Sequence, residues 1–263
     1  MGQGWVSIAH WRRAGYGGGM VDTLANIVAR RPATSVAGVL EMLTDIDQLL
    51  PDTDGLKWFN HLYLAVTTAM RDAIAAGTFN DAVWIGQLDV GFANLYFNAL
   101  ALGEANLATA PAAWRPLLAA RPDPGLARIQ FALAGMNAHI NRDLPVAIVQ
   151  IYEATGGAPV RTDAHYADYE TVNGILETVE TRVKQEFTTG ILGAVDAVAG
   201  PLDDVVAMWS VRAARDAAWT HAELLWNLRA LPELQTDFLG TLDEFTGFAG
   251  RGLLAHVGAG GLG

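Results

Sequence analysis

Apolar residues return every three or four positions along nearly the whole chain from Val21 to Leu254, the period of helices that each bury one face. No stretch alternates between apolar and polar residues with turn residues at its ends, as a half-buried strand requires. Breakers cut the pattern at Arg31-Pro32, Pro51 to Gly55, Gly77, Gly103 with Pro111, Pro122 to Gly125, Pro145, Gly156 to Pro159, Gly200-Pro201 and Pro232. The segments between them predict helices over 34–50, 55–76, 80–102, 125–142, 146–154, 164–189, 202–230 and 235–247. The helix from 202 opens on Asp203-Asp204, acids where the helix dipole favours them. No repeat and no linker divides the chain. The expectation is all-α: a single-domain multi-helix bundle with buried central helices over residues 20–254.

Within 55–76 the stripe Phe59, Leu62, Val66, Ala69 and Ala73 faces a core, and His61 lies off it toward solvent. Segment 80–102 is apolar on most sides, which marks a central helix. Yet Asp89 shares a stripe with Ile85, Phe92 and Tyr96, and a buried carboxylate needs a cation, a metal or several donors. Gln87, Asn94 and Asn98 form an amide stripe, read either as a hydrogen-bond network locking the core or as the wall of a ligand cavity.

Helix 125–142 packs through Leu126, Ile129, Leu133, Met136 and Ile140. A second stripe is Gln130, Ala134, Asn137 and Asn141, and a third is Ala132, Gly135, His139 and Asp143, so small residues leave room beside polar ones. His139 and Asp143 point the same way at i, i+4. That pair either chelates a divalent metal (zinc, iron or manganese) or forms a hydrogen bond. In 164–189, His165 precedes the core stripe that starts at Tyr169. In 202–230, His221 shares a stripe with Ala214, Ala218 and Leu225 and is expected to be buried, and Arg212 pairs with Asp216. Met208, Arg215, Trp219 and Trp226 line the adjoining face. There an arginine beside tryptophans serves either as packing or as the cationic group of an aromatic-walled pocket for an anionic substrate.

Composition narrows the partners. Lys and Arg number 17 against 28 Asp and Glu, a net charge of −11; with no basic stretch, nucleic acid is not an expected partner. Nor is a nucleotide cofactor. Cysteine is absent, which excludes disulfides and thiolate chemistry. No uninterrupted apolar run of about 20 residues exists, and no helix presents a basic amphipathic face, so no membrane partner is expected. The expected location is the cytoplasm, and the expected partner a small-molecule substrate; a homo-oligomer is left open. Residues 1–19, rich in glycine and without period, read as a disordered leader or an over-annotated start. Residues 255–263 read as a flexible tail.

The strings DGLKWFNHLYLAVT (54–67), LDVGFANLYFNAL (88–100), QFALAGMNAHINRDLPVAIV (130–149), DYETVN (168–173) and RAARDAAWTHAELLW (212–226) resemble an actinobacterial family, domain of unknown function 5995. The resemblance runs from about Met20 to Leu254 and implies an all-helical fold, but no activity. HINRDLP (139–145) is also similar to the HxxxD…P segment of the zinc-dependent phospholipase C and single-strand nuclease superfamily. That similarity implies zinc on His139 and Asp143. The superfamily's next histidine is missing, because Val146 to Val149 are apolar, and its N-terminal Trp ligand has no counterpart. The likeness therefore implies one or two metals, or none.

Three readings follow. The first is a metal-dependent enzyme, hydrolase-like or otherwise metal-assisted, acting on a small, largely apolar metabolite. Asp89, His139, Asp143 and His221 are its catalytic set, with Asp89, His139 and Asp143 on the metal. It requires those side chains to converge within about 5 Å. The second is a metal-free enzyme or binding protein with an aromatic-lined pocket, such as a cyclase or isomerase of secondary metabolism. Asn94, Asn98, Asn137, Asn141, Arg215 and Trp219 would contact its substrate. The third is a non-catalytic helical interaction protein whose buried polar groups only specify packing.

Overall fold

A computed structural model describes residues 23–189 and 210–256. Among these the chain forms α1 (Leu24–Val28), α2 (Val36–Leu49), α3 (Gly55–Ala75), α4 (Ala82–Ala105), a 3-10 turn (Leu107–Thr109) and α5 (Arg115–Ala120). It continues through α6 (Arg128–Ala138), a π turn (His139–Asp143), α7 (Leu144–Thr155), α8 (Ala164–Thr189), α9 (Val211–Leu228) and α10 (Pro232–Leu253). No strand occurs among the described residues. The architecture is an all-α multi-helix bundle, as the periodicity implies. No described helix is long and apolar enough to cross a membrane.

Starts are set by side chains that accept otherwise orphaned N–H groups. Ser35 caps α2 through Gly38 N–H, Asp54 caps α3 through Leu56 N–H, and Asp81 caps α4 through Val83 and Trp84 N–H. Ser210 caps α9 at Ala213, so that helix begins at Val211. Asp203-Asp204, Met208, residues 1–19 and most of the expected tail lie outside the described residues. Ala255 and His256 are held, by Gln130 and Asp123 respectively.

Two expected breakers do not break. Gly103 sits inside α4, where a Cβ would meet Leu118 of α5 at 2.6 Å; its smallness serves packing. Pro145 is crossed by a single continuous helix running from α6 through the π turn into α7. Pro232 starts α10, and that helix extends beyond the 235–247 expected for it.

The interior holds two apolar clusters. One joins α2, α3, α4 and α6 around Phe59, Tyr96 and Trp114; the other joins α4, α7, α8 and α9 around Tyr152, Tyr169 and Trp219. Before the π turn the long helix packs on α3 and α10, and after it on α9 and α4. Each fully buried aromatic ring contributes on the order of 2–3 kcal/mol of burial. The π turn lies on the seam between the clusters.

Candidate functional site

Pro145 has no N–H to offer the carbonyl of Asn141, and in a regular helix its ring would press on that carbonyl. The backbone widens instead, and Leu144 N–H donates to the His139 carbonyl. Such π turns often mark functional sites. This one carries His139 and Asp143, both buried.

Asp143 is saturated with donors. Its Oδ2 accepts Trp114 Nε1–H at 2.9 Å and lies 3.1 Å from His139 Nδ1, while Oδ1 accepts from Arg142 Nη1 at 2.8 Å. Arg142 also faces Asp243 of α10 at 3.5 Å, and Asp243 accepts the backbone N–H groups of Ala112 and Ala113. This chain of contacts fixes the segment that delivers Trp114. With Asp143 as acceptor, the proton of His139 is assigned to Nδ1, which leaves the Nε2 lone pair free. Nε2 is buried without a partner. Burial pulls the His139 pKa below its ordinary value, and the contact with Asp143 opposes this only in part. The imidazole is neutral at pH 7.

Aromatic rings sheathe that imidazole. Phe92 stacks on it at 3.5 Å between centroids, and Tyr63 and Phe59 meet it edge-on at 4.7 and 5.7 Å. The small-residue stripe of α6 leaves room as expected, but Phe59 fills it: a Cβ on Gly135 would lie 2.2 Å from that ring.

His139 opens onto a cavity of about 90 Å³, walled mostly by apolar side chains of α3, α4, α7, α8 and α9. That is less than the roughly 150 Å³ of an apolar cavity that admits benzene, so the enclosed part suits a compact molecule. Asp89 is on the same wall, buried, with Oδ2 unpartnered. Burial alone raises its pKa to about 7. No hydrogen bond or ion pair joins Asp89 to His139 among the described residues. Tyr63, also on this wall, is pushed well above its ordinary pKa by burial and by the nearby Asp89 and Asp143. Arg215 completes the polar set. Its Nε donates to Asn173 at 2.8 Å, its Nη2 to the Tyr169 carbonyl at 2.6 Å, and its guanidinium lies 3.9 Å above the Tyr169 ring.

Asp89, His139 and Arg215 therefore share the cavity, with Asp143 behind His139. The other expected residues go elsewhere. His221 is half-buried against Phe238, away from this wall. The buried arc of α9 centres on Arg215, Ala218, Ala222 and Leu225, and position 221 lies at its edge. Asn94 is engaged with both backbone groups of Ala33, and Asn98 and Gln87 are exposed. Asn137 donates to the Thr246 carbonyl and accepts from Asn141, tying α6 to α10. Trp219 is buried among Tyr152, Tyr166 and Tyr169. Arg212 makes its direct ion pairs with Glu177 and Glu170 of α8, with Asp216 a smaller electrostatic influence. His165 stacks on Trp84 and faces Asp81. His61 is partly exposed and faces Asp47.

Among the described residues no group of three or more His, Asp or Glu side chains is placed to hold a metal ion. Asp143 already accepts from Trp114 and Arg142 beside His139. The sequence offered no signal for Trp114, Tyr63 or Asn173 as neighbours of the site, because each arrives from a distant segment; Arg142 is the chain neighbour of Asp143 and reaches it directly.

Fold and site together define an all-helical protein with a buried histidine–aspartate pair opening on a small apolar cavity. The chain belongs to the family of unknown function DUF5995, which matches residues 36–256. No curated protein and no solved structure matches it significantly. The likeness of HINRDLP to the phospholipase and nuclease superfamily gains no support from these comparisons.

Proposed function

We propose that the protein is an enzyme that moves a proton on a compact, largely apolar small molecule held in this cavity. His139 Nε2 is the base and Asp89 the acid. One observation carries the reading: Nε2 of His139 and Oδ2 of Asp89 are both buried, both without a partner, and both on the wall of one apolar cavity. Buried polar atoms are nearly always satisfied, so these two orphans, with the Tyr63 hydroxyl as a third on the same wall, point to a ligand that satisfies them. Asp143 would orient the imidazole and stabilise it once protonated, as the carboxylate does in other histidine-based sites. A carboxyl that titrates near neutrality suits proton donation at physiological pH.

The test is proton exchange from compact ketones, aldehydes and hydroxy compounds incubated with the full chain in deuterated buffer, followed by NMR. Exchange that His139→Gln abolishes and Asp89→Asn slows by about 10²–10⁴-fold supports the reading. Exchange in at least one compound that neither substitution alters, or none in any compound that binds, refutes it.

A second reading rests on the same orphan atoms. A metal-bound histidine commonly donates its other N–H to a carboxylate, the arrangement of His139 and Asp143. Zinc, iron or manganese could then sit on His139 Nε2 and Asp89, with Asp143 supporting rather than ligating. Elemental analysis of protein purified without chelator, with melting temperatures in each metal, separates the two readings.

A further inference from the structure

Arg215 brings a fixed positive charge to the cavity wall while only 6% exposed. Its protein partners, the Asn173 side-chain oxygen, the Tyr169 carbonyl and the Tyr169 ring, are all neutral. Among the described residues its Nη1 makes no hydrogen bond and no carboxylate lies within ion-pairing distance of it. The other inward arginines differ. Arg142 lies between Asp143 and Asp243, and Arg121 between Asp54 and Glu104. Asp89, on the same wall, does not neutralise Arg215: its Oδ2 has no partner, and no ion pair joins the two among the described residues. A buried cation without an anion is strongly unfavourable, and arginine is the side chain best suited to carboxylate recognition.

We infer that the cavity binds a compact organic monocarboxylate, its carboxylate on Arg215 Nη1 and its apolar body against Leu88, Phe92 and Val172. This rests on the reading of the cavity as a small-molecule site and names the class of molecule. An inorganic anion would satisfy Arg215 but leave the apolar wall uncovered. A carboxylate anchored there presents its remaining atoms to His139, Asp89 and Tyr63, polar groups elsewhere on the wall.

The test uses isobutyrate and its neutral isostere isobutyramide, titrated into the full chain and followed by ligand NMR. Isobutyrate is expected to bind about ten- to a hundredfold more tightly, the value of a charge-assisted hydrogen bond. Asn173→Asp sets a carboxylate on Arg215 Nε at unchanged volume and is expected to erase that preference while isobutyramide affinity stays. Arg215→Met, of similar length without charge, is expected to erase the preference as well and stands in if Asn173→Asp does not fold. Equal binding of the two compounds by the native chain overturns the carboxylate anchor and leaves the cavity reading intact. So does a preference that survives either substitution. Binding of neither compound overturns both.

Discussion

Replacing Asp89 by asparagine is expected to stabilise the protein at pH 8 and not at pH 4. In the unfolded chain this carboxyl loses its proton near its ordinary value of 3.8, whereas in the fold it holds the proton up to about pH 7. Between those values the folded state binds the extra proton, so the residue's contribution to stability falls as pH rises through that window. Above pH 7 the loss levels off. About three units at about 1.4 kcal/mol each gives a ceiling of about 4 kcal/mol. Asparagine avoids the charge but leaves a buried amide unpaired, at about 1–2 kcal/mol. The net gain at pH 8 is therefore about 2–3 kcal/mol, or a melting temperature higher by about 5–10 °C. Melting curves of both proteins from pH 4 to 8.5 test this, and the difference should shrink toward pH 4 and then reverse. A variant less stable at pH 8, or a difference that ignores pH, would show that Asp89 is paired or solvated in the native protein. The same substitution that stabilises the fold should slow proton transfer, since a site carboxyl can be held at the expense of stability.

Other substitutions probe the frame of the site. Asp143→Asn removes the negative charge and turns one acceptor oxygen into an NH2 donor, so either Arg142 or the Trp114–His139 side loses its acceptor, and stability should fall by about 3–5 kcal/mol in chemical denaturation; a loss under 1 kcal/mol would argue that the network is solvated. Gly247→Ala would place a Cβ 2.5 Å from the Ala112 carbonyl oxygen, and because backbone cannot swing aside, a cost of about 1–3 kcal/mol is expected. Unchanged stability there would mean that α10 is not seated as described. Asn94→Leu strips both backbone partners from Ala33 and should cost about 1–3 kcal/mol without changing isobutyrate affinity; reduced affinity would place Asn94 at the cavity after all.

The helices were legible because each buries one face at the helical period, which the sequence displays directly. His139 and Asp143 were legible as a pair because four residues of helix bring them together whatever surrounds them. Their partners were not. Trp114 reaches Asp143 across 29 residues of chain, and only the packing of α5 and α10 decides that it arrives there. Asn94 looked like a cavity residue because amides recur along α4, but it is claimed by a backbone 61 residues away. His221 differs for a smaller reason: a stripe of alanines locates the core only to within a residue or so, and a histidine at its margin packs half-buried against Phe238 instead of on the cavity wall. The metal expectation meets the same limit. Spacing shows which groups can meet, but not which donors already occupy them.

The wide turn at His139–Asp143 also acts as a phase shifter. A π turn takes up one residue more than the α turn it replaces, which rotates every later side chain by about 100° about the axis. One stiff rod can therefore serve two interiors that lie on different sides of it: α6 addresses α3 and α10, and α7 addresses α9 and α4. Deleting a single residue from the turn would put the two halves back in step. One interior would then lose its apolar face, and His139 its alignment with Asp143.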